Sequence, residues 1–309
     1  MKKFFAAIAA LSLAATVAFA QDYNAAVEAF NAGATALESN KTEAVAQFRN
    51  AMDIAKSCSE AEAPELVSKC QSAIVGALMS ISKEKINEGA YDEALTTLAE
   101  VKTVAQEYGQ QEAVDEAAAL VPNVYKRKGS ALLKAKDFAG AAAALEELTK
   151  ITPEDGQAFL LLGQAQLQSG NSAAAIASLE KANELGEAQA PKLLSTTYLK
   201  QGQALLKAGK NAEAIAALEK SNSYGESANA YKLIASAYTK SGKSAQAIDA
   251  YKKYLEVSPN AKDAEDIIFT IAATAQKAGD KATAKEYYTK LSGSAKYAAQ
   301  ADAQLKTLK

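Results

Sequence analysis

Residues 170–181 read GNSAAAIASLEK, residues 209–220 read GKNAEAIAALEK, and residues 242–253 read GKSAQAIDAYKK. Near-copies of one phrase at a roughly fixed interval are the signature of a repeat architecture. Weaker copies begin at Gly89 and Gly279, and two more, over 39–44 and 136–141, lack the glycine. The sixth residue of each copy serves as an anchor: Ala44, Ala94, Ala141, Ala175, Ala214, Ala247 and Ala284. Their spacings are 50, 47, 34, 39, 33 and 37 residues. Four residues after each anchor stands a large apolar side chain: Phe48, Leu98, Leu145, Leu179, Leu218, Tyr251 and Tyr288. Twelve residues before it stands a small one: Ala32, Ser82, Gly129, Gly163, Gly202, Ala235 and Ala272.

An antiparallel helix pair explains both series. Small side chains on the two facing helices let their axes approach, and the large residue one turn on fills the neighbouring groove. The glycine between them takes the left-handed conformation that ends the first helix. Ser172, Asn211 and Ser244 are placed to cap the second. Pro153 and Pro259 fall twelve residues after their anchors, where each second helix must stop. Composition agrees: Ala, Leu, Glu, Lys and Gln dominate, and proline occurs only five times.

The small residue, the Gly-x-x-x-x-Ala turn, the large apolar residue and the closing proline together resemble the tetratricopeptide repeat. The likeness is close over 122–291 and looser over 24–121. The aromatic near the start of the first helix appears as Tyr125, Phe159, Tyr198 and Tyr231, never as Trp. The two long first periods require lengthened helices or inserted turns. The expected fold is therefore all-α, an α-α superhelix of about seven helix pairs. Residues 21–121 would form irregular repeats, 122–291 regular ones and 292–309 a capping helix. Tyr297, Ala298, Ala301, Leu305 and Leu308 lie at helical spacing in that last segment, and a terminal repeat needs such a cover.

The resemblance also implies a concave groove that holds a protein or peptide, lined fifteen, eleven and eight residues before each anchor. In the central repeats the lining residues put forward are Lys126 and Ser130; Leu160, Gln164 and Leu167; Leu199, Gln203 and Leu206; Lys232 and Ser236, with Leu133 and Thr239 completing the register. The four leucines admit two readings, an apolar strip open to a partner or a contact with the next helix pair. The family's Lys/Asn carboxylate clamp is not reproduced, since Lys126 is followed by Ser130. Lys134, Lys207, Lys240 and Lys277 recur seven before the anchors. A cationic edge is one reading; lysine at helix C-termini, favoured by the macrodipole, is the better one.

Met1-Lys2-Lys3, the uncharged stretch from Phe4 to Val17 and Ala18-Phe19-Ala20 read as a signal peptide, cleaved between Ala20 and Gln21. The mature chain is then expected in the periplasm or outside the cell, without a transmembrane anchor. In that compartment the pair Cys58 and Cys70 reads as a disulfide.

Catalytic chemistry has little to work with. The chain has no histidine, which removes Ser-His-Asp and Cys-His systems and the common zinc motifs. Nothing points to a metal or other cofactor. Carboxylates sit beside lysines, as in Glu180-Lys181 and Glu219-Lys220, the usual mark of a solvated helix face. Net charge is −2 and the arginines are two, Arg49 and Arg127, unlike a nucleic-acid binder. The reading is a non-enzymatic scaffold or adaptor for protein partners. The alternative is a cell-wall or glycan-binding module with weak hydrolase activity, which the absence of Trp disfavours.

Overall fold

The structure, a computed structural model, describes residues 20–308. The expected signal peptide lies outside these residues except for Ala20. The described chain is all-α. It divides into two compact units, 1–154 and 155–309.

In the first unit, α1 (Ala20–Ala36) pairs with α2 (Lys41–Ser57), α3 (Ala63–Glu88) with α4 (Tyr91–Glu107), and α5 (Gln111–Lys134) with α6 (Phe138–Ile151). In the second, α7 (Gly156–Gln168) pairs with α8 (Ser172–Glu184), and α9 (Ala190–Lys207) with α10 (Asn211–Tyr224). Then α11 (Ala228–Lys240) pairs with α12 (Ser244–Val257), α13 (Ala264–Lys277) with α14 (Lys281–Thr289), and α15 (Ala298–Thr307) closes the unit. Within each unit every helix packs chiefly on its sequence neighbours, the tetratricopeptide-like arrangement of stacked pairs.

The anchors decide the packing. All seven anchor alanines are fully buried, and each large residue four positions on is buried beside them. At the third position six of the seven small residues are buried as expected, from Ser82 to Ala272. The first pair departs: Ala32 is exposed and Gly33 takes its place, packed against Phe48. The turn explains the shift. In the other pairs an N–H at the turn reaches a carbonyl five residues back, as Asn171 to Gln166 and Lys210 to Leu205, the Schellman geometry. At the first pair Asn40 instead reaches Ala36, four residues back, so the helix pairing slips by one. Gly89, Gly170, Gly209, Gly242 and Gly279 supply the positive φ of the other turns, and Lys136 does so at φ 62 where glycine is missing.

Helix length accounts for the uneven periods. The first helices α3 and α5 run 26 and 24 residues, and α9 runs 18, against 13 for α7 and α11. The expected domain boundary at 121/122 falls inside α5, which continues through Pro122. The unit boundary lies instead between α6 and α7. Pro153 and Pro259 each follow a second helix by two residues. The capping positions move by one: Asn171, Lys210 and Lys243 are the N-caps, while Ser172, Asn211 and Ser244 are the first helical residues. Only Asn171 of these three caps with its side chain, taking the Ala174 N–H at 3.2 Å.

Cys58 and Cys70 are free thiols in the structure, not the expected bridge. Cys58 ends α2, and its thiol donates back to the Ile54 carbonyl at 3.3 Å. It lies among Asp22, Glu60 and Tyr23, whereas Cys70 is buried in the core on the side of Tyr108. Burial pushes the Cys70 thiol up to about 12, which leaves it inert.

The last helix covers the end of the second unit. Ala301 and Leu308 are buried against the core containing Ile271, Tyr288 and Leu291. Tyr297 stacks on Phe269 with ring centroids 4.7 Å apart. Lys296 and the Tyr297 hydroxyl both reach Asp266 of α13, at 2.6 and 3.0 Å, and Ser294 donates to Glu265 at 2.7 Å.

Candidate partner-binding surface

The expected groove residues sit on first helices, but they do not form one open strip. Lys126 and Ser130 belong to α5 in the first unit; the other eight belong to α7, α9 and α11 in the second. Leu160 is only 2% exposed and packs with Leu179, Ala182, Ala190 and Leu194. It is core, so its place in the groove is corrected. The first turns of the long helix α9 lie over it and shut it from solvent. Leu167 is half-buried on the edge of the same cluster, and Leu199 and Leu206 are half-buried against the cluster of Ile215, Ala230 and Ile234. The leucines therefore serve mainly to join one helix pair to the next.

The polar members of the row remain accessible. Gln164, Gln203 and Ser236 are half-buried on α7, α9 and α11, and Ser130 is half-buried on α5. Lys126 and Lys232 are exposed. Lys232 is not a free cationic rim, because it bonds Asp263, the N-cap of α13. The Tyr254 hydroxyl donates to the same carboxylate. These two donors, Lys232 first, hold the Asp263 carboxyl below its ordinary range, and the shared bond drives Tyr254 up to about 12. The trio fastens α11, α12 and α13 together. The lysines at 134, 207, 240 and 277 are each the last residue of a helix, which supports the macrodipole reading.

A further cluster was hidden from periodicity. Tyr198 of α9 and Tyr224 of α10 stack with ring planes 5° apart and centroids at 6.0 Å. Both hydroxyls donate to Oε1 of Glu180 on α8, at 2.9 and 3.3 Å. Burial, with Glu180 second, pushes Tyr198 up to about 12. The hydroxyls stay protonated donors, and the cluster ties three helices together. Tyr198 is visible in the sequence as the repeat aromatic; its carboxylate partner 18 residues earlier is not.

Among the described residues no group of three or more His, Cys, Asp or Glu is placed to hold a metal ion. No helix there is long and apolar enough to cross a membrane.

Residues 126–190 and 199–264 match the tetratricopeptide repeat. Those two segments carry tetratricopeptide repeats. Such repeats are typically non-catalytic scaffolds for protein partners. No curated protein is detectably similar to this chain. Among solved structures, a MamA protein is 23% identical, matching 59% of this chain and 96% of its own, with a TM-score of 0.35. The C-terminal part of a tetratricopeptide repeat-containing protein from Cytophaga hutchinsonii is 19% identical over 71% of this chain and 81% of its own, TM-score 0.36. PilW, a type IV pilus biogenesis factor, is 18% identical over 75% of this chain and 98% of its own, TM-score 0.32. Likenesses this distant say nothing of this chain's partners.

Proposed function

We propose that the chain is an exported scaffold of the cell envelope that holds protein partners on the first helices of its repeats. The observation that carries this reading is the row of accessible amides and hydroxyls, Gln164, Gln203 and Ser236, at one repeat position on successive first helices. Evenly spaced donors and acceptors on a rigid frame suit the main chain of a bound segment. Export rests on the sequence of residues 1–20 and on that alone.

Affinity capture tests the reading. The chain from Gln21 onward, immobilised and exposed to envelope extract, should retain a defined protein set. Changing Gln164, Gln203 and Ser236 together to Glu should remove that set while leaving helicity intact. Retention on peptidoglycan with no protein captured would contradict the proposal, as would capture that ignores the triple variant.

A further inference from the structure

In the second unit, a cleft of about 740 Å³ opens between the α7–α8 turn and one flank of α9. Its volume is typical of ligand clefts, roughly 300–1,000 Å³. Leu167, Ile176 and Leu193, all half-buried, form an apolar floor. Thr196 and Gln201 stand exposed along its wall, and Lys200 between them is exposed and makes no ion pair among the described residues. No Asp or Glu lines the cleft. The first turn of α8 and the last turn of α7 both face it, and their dipole ends oppose each other, which leaves Lys200 as the charge of the cleft.

The first unit supplies the contrast. A smaller cleft there, about 400 Å³, is also part apolar and part charged. Its cations are already matched: Arg49 pairs with Glu100 at 2.6 Å and Lys85 with Glu93 at 3.0 Å, and both carboxylates line the same cleft. Charge in that cleft is satisfied internally. In the α9 cleft it is not.

We infer that the α9 cleft is a docking site for an extended, acidic-aliphatic segment of a partner protein. Aliphatic side chains seat on Leu167, Ile176 and Leu193, and a carboxylate between them reaches Lys200. The lining of α9 runs from Leu193 to Ala204, about 16 Å at 1.5 Å per residue. That is the length of roughly five extended residues. Of the ten groove positions, Leu167 alone touches this cleft, so the site is a second surface. It deepens the scaffold reading and rests on it.

The probe is the blocked pentapeptide acetyl-Gly-Leu-Glu-Leu-Gly-amide, whose capped ends leave the Glu side chain as its one charge. Titration into the chain from Gln21 onward, followed by backbone amide shifts, should saturate. Shifts should centre on Gly170 to Ala173 and Thr196 to Ala204. Binding should weaken at least about tenfold when the peptide Glu becomes Gln, and likewise for Lys200→Glu. Lys192→Glu, exposed on the same helix outside the cleft, should leave affinity unchanged. Absence of saturation, equal binding of the Gln peptide, or shifts centred on Gln164 and Gln203 overturns the inference. If Lys200→Glu captures the same envelope proteins as the unaltered chain, the cleft assignment fails and the scaffold reading stands. If the unaltered chain captures nothing, the scaffold reading itself fails.

Discussion

Leu179 occupies the space that a side chain at Gly163 would need. A methyl carbon on that glycine would stand 2.6 Å from Leu179 Cγ. The same relation recurs between Gly129 and Leu145 at 2.7 Å and between Gly202 and Leu218 at 2.6 Å. Where the facing residue is a flat ring, as Tyr251 and Tyr288, the small partner is Ala235 or Ala272 instead. The choice is set pair by pair: Leu98 faces Ser82, and Gly33 faces the Phe48 ring, where a methyl carbon would stand 2.8 Å from the ring.

Gly163→Ala and Gly202→Ala should therefore destabilise the protein. Alanine gains up to about 1 kcal/mol in helix propensity, but overpacking against leucine costs about 1–3 kcal/mol. The net loss should appear in urea unfolding as a lower midpoint with unchanged slope. Relief should come from Leu179→Ala in the Gly163→Ala background, giving a measurable coupling in a double-mutant cycle. A raised midpoint in either single variant would show that the two helices are not in van der Waals contact at this point.

The anchors, the large residues and most of the small residues were legible because their spacing follows from helix geometry alone. The Ala32-to-Gly33 slip was not, since it depends on a turn that lacks a left-handed residue. The burial of Leu160 was not either: it depends on the extra turns of α9, a length that no local pattern states. The repeat places Lys232 in the groove, but nothing in it marks the turn before α13 that brings Asp263 beside that lysine. The cap positions were misplaced by one because Ser and Asn are equally at home in the first turn of a helix.

The N-caps themselves yield a second prediction. Lys210 and Lys243 hold N-cap positions without a side-chain bond to the helix backbone, although Lys210 pairs with Glu213 at 3.3 Å. Asp137 and Asp280 fill the same position in other pairs and accept an N–H at 2.9 and 3.0 Å. Lys210→Asp and Lys243→Asp should each stabilise by about 0.5–2 kcal/mol. Thermal unfolding of the two variants checks this, and an unchanged or lowered midpoint would place the helix start elsewhere.

The two thiols should differ in reactivity. Cys58 is half-exposed at a helix end, and Cys70 is fully buried with its thiol pushed up to about 12. Native protein should take up one equivalent of a thiol reagent, and denatured protein two. Mass spectrometry of the unreduced chain, showing whether two hydrogens are missing, decides between free thiols and a bridge.

Acid should loosen the last helix. Bonds from Lys296 and then Tyr297 hold the Asp266 carboxyl below its ordinary value of 3.8. For a depressed carboxyl the stabilisation is fully present above the unfolded value and disappears as pH falls through the lower folded value. Amide exchange over 298–307 should therefore speed up, relative to α9, as pH falls below about 4. Asp266→Asn should show fast exchange in that helix at neutral pH and little further change with acid. Equal acid sensitivity of α9 and α15 would contradict the latch.

The register of the repeat underlies the packing of every helix pair, and two neighbouring alanines on α10 test it most directly. Ala214 is fully buried against the first helix of its pair, whereas Ala216, two residues on, is exposed. Equilibrium unfolding of Ala214→Leu should show a loss of about 1–3 kcal/mol or more. Ala216→Leu should stay within about 0.5 kcal/mol of the unaltered chain. Equal effects at the two positions, or a larger loss at Ala216, would contradict the helix pairing.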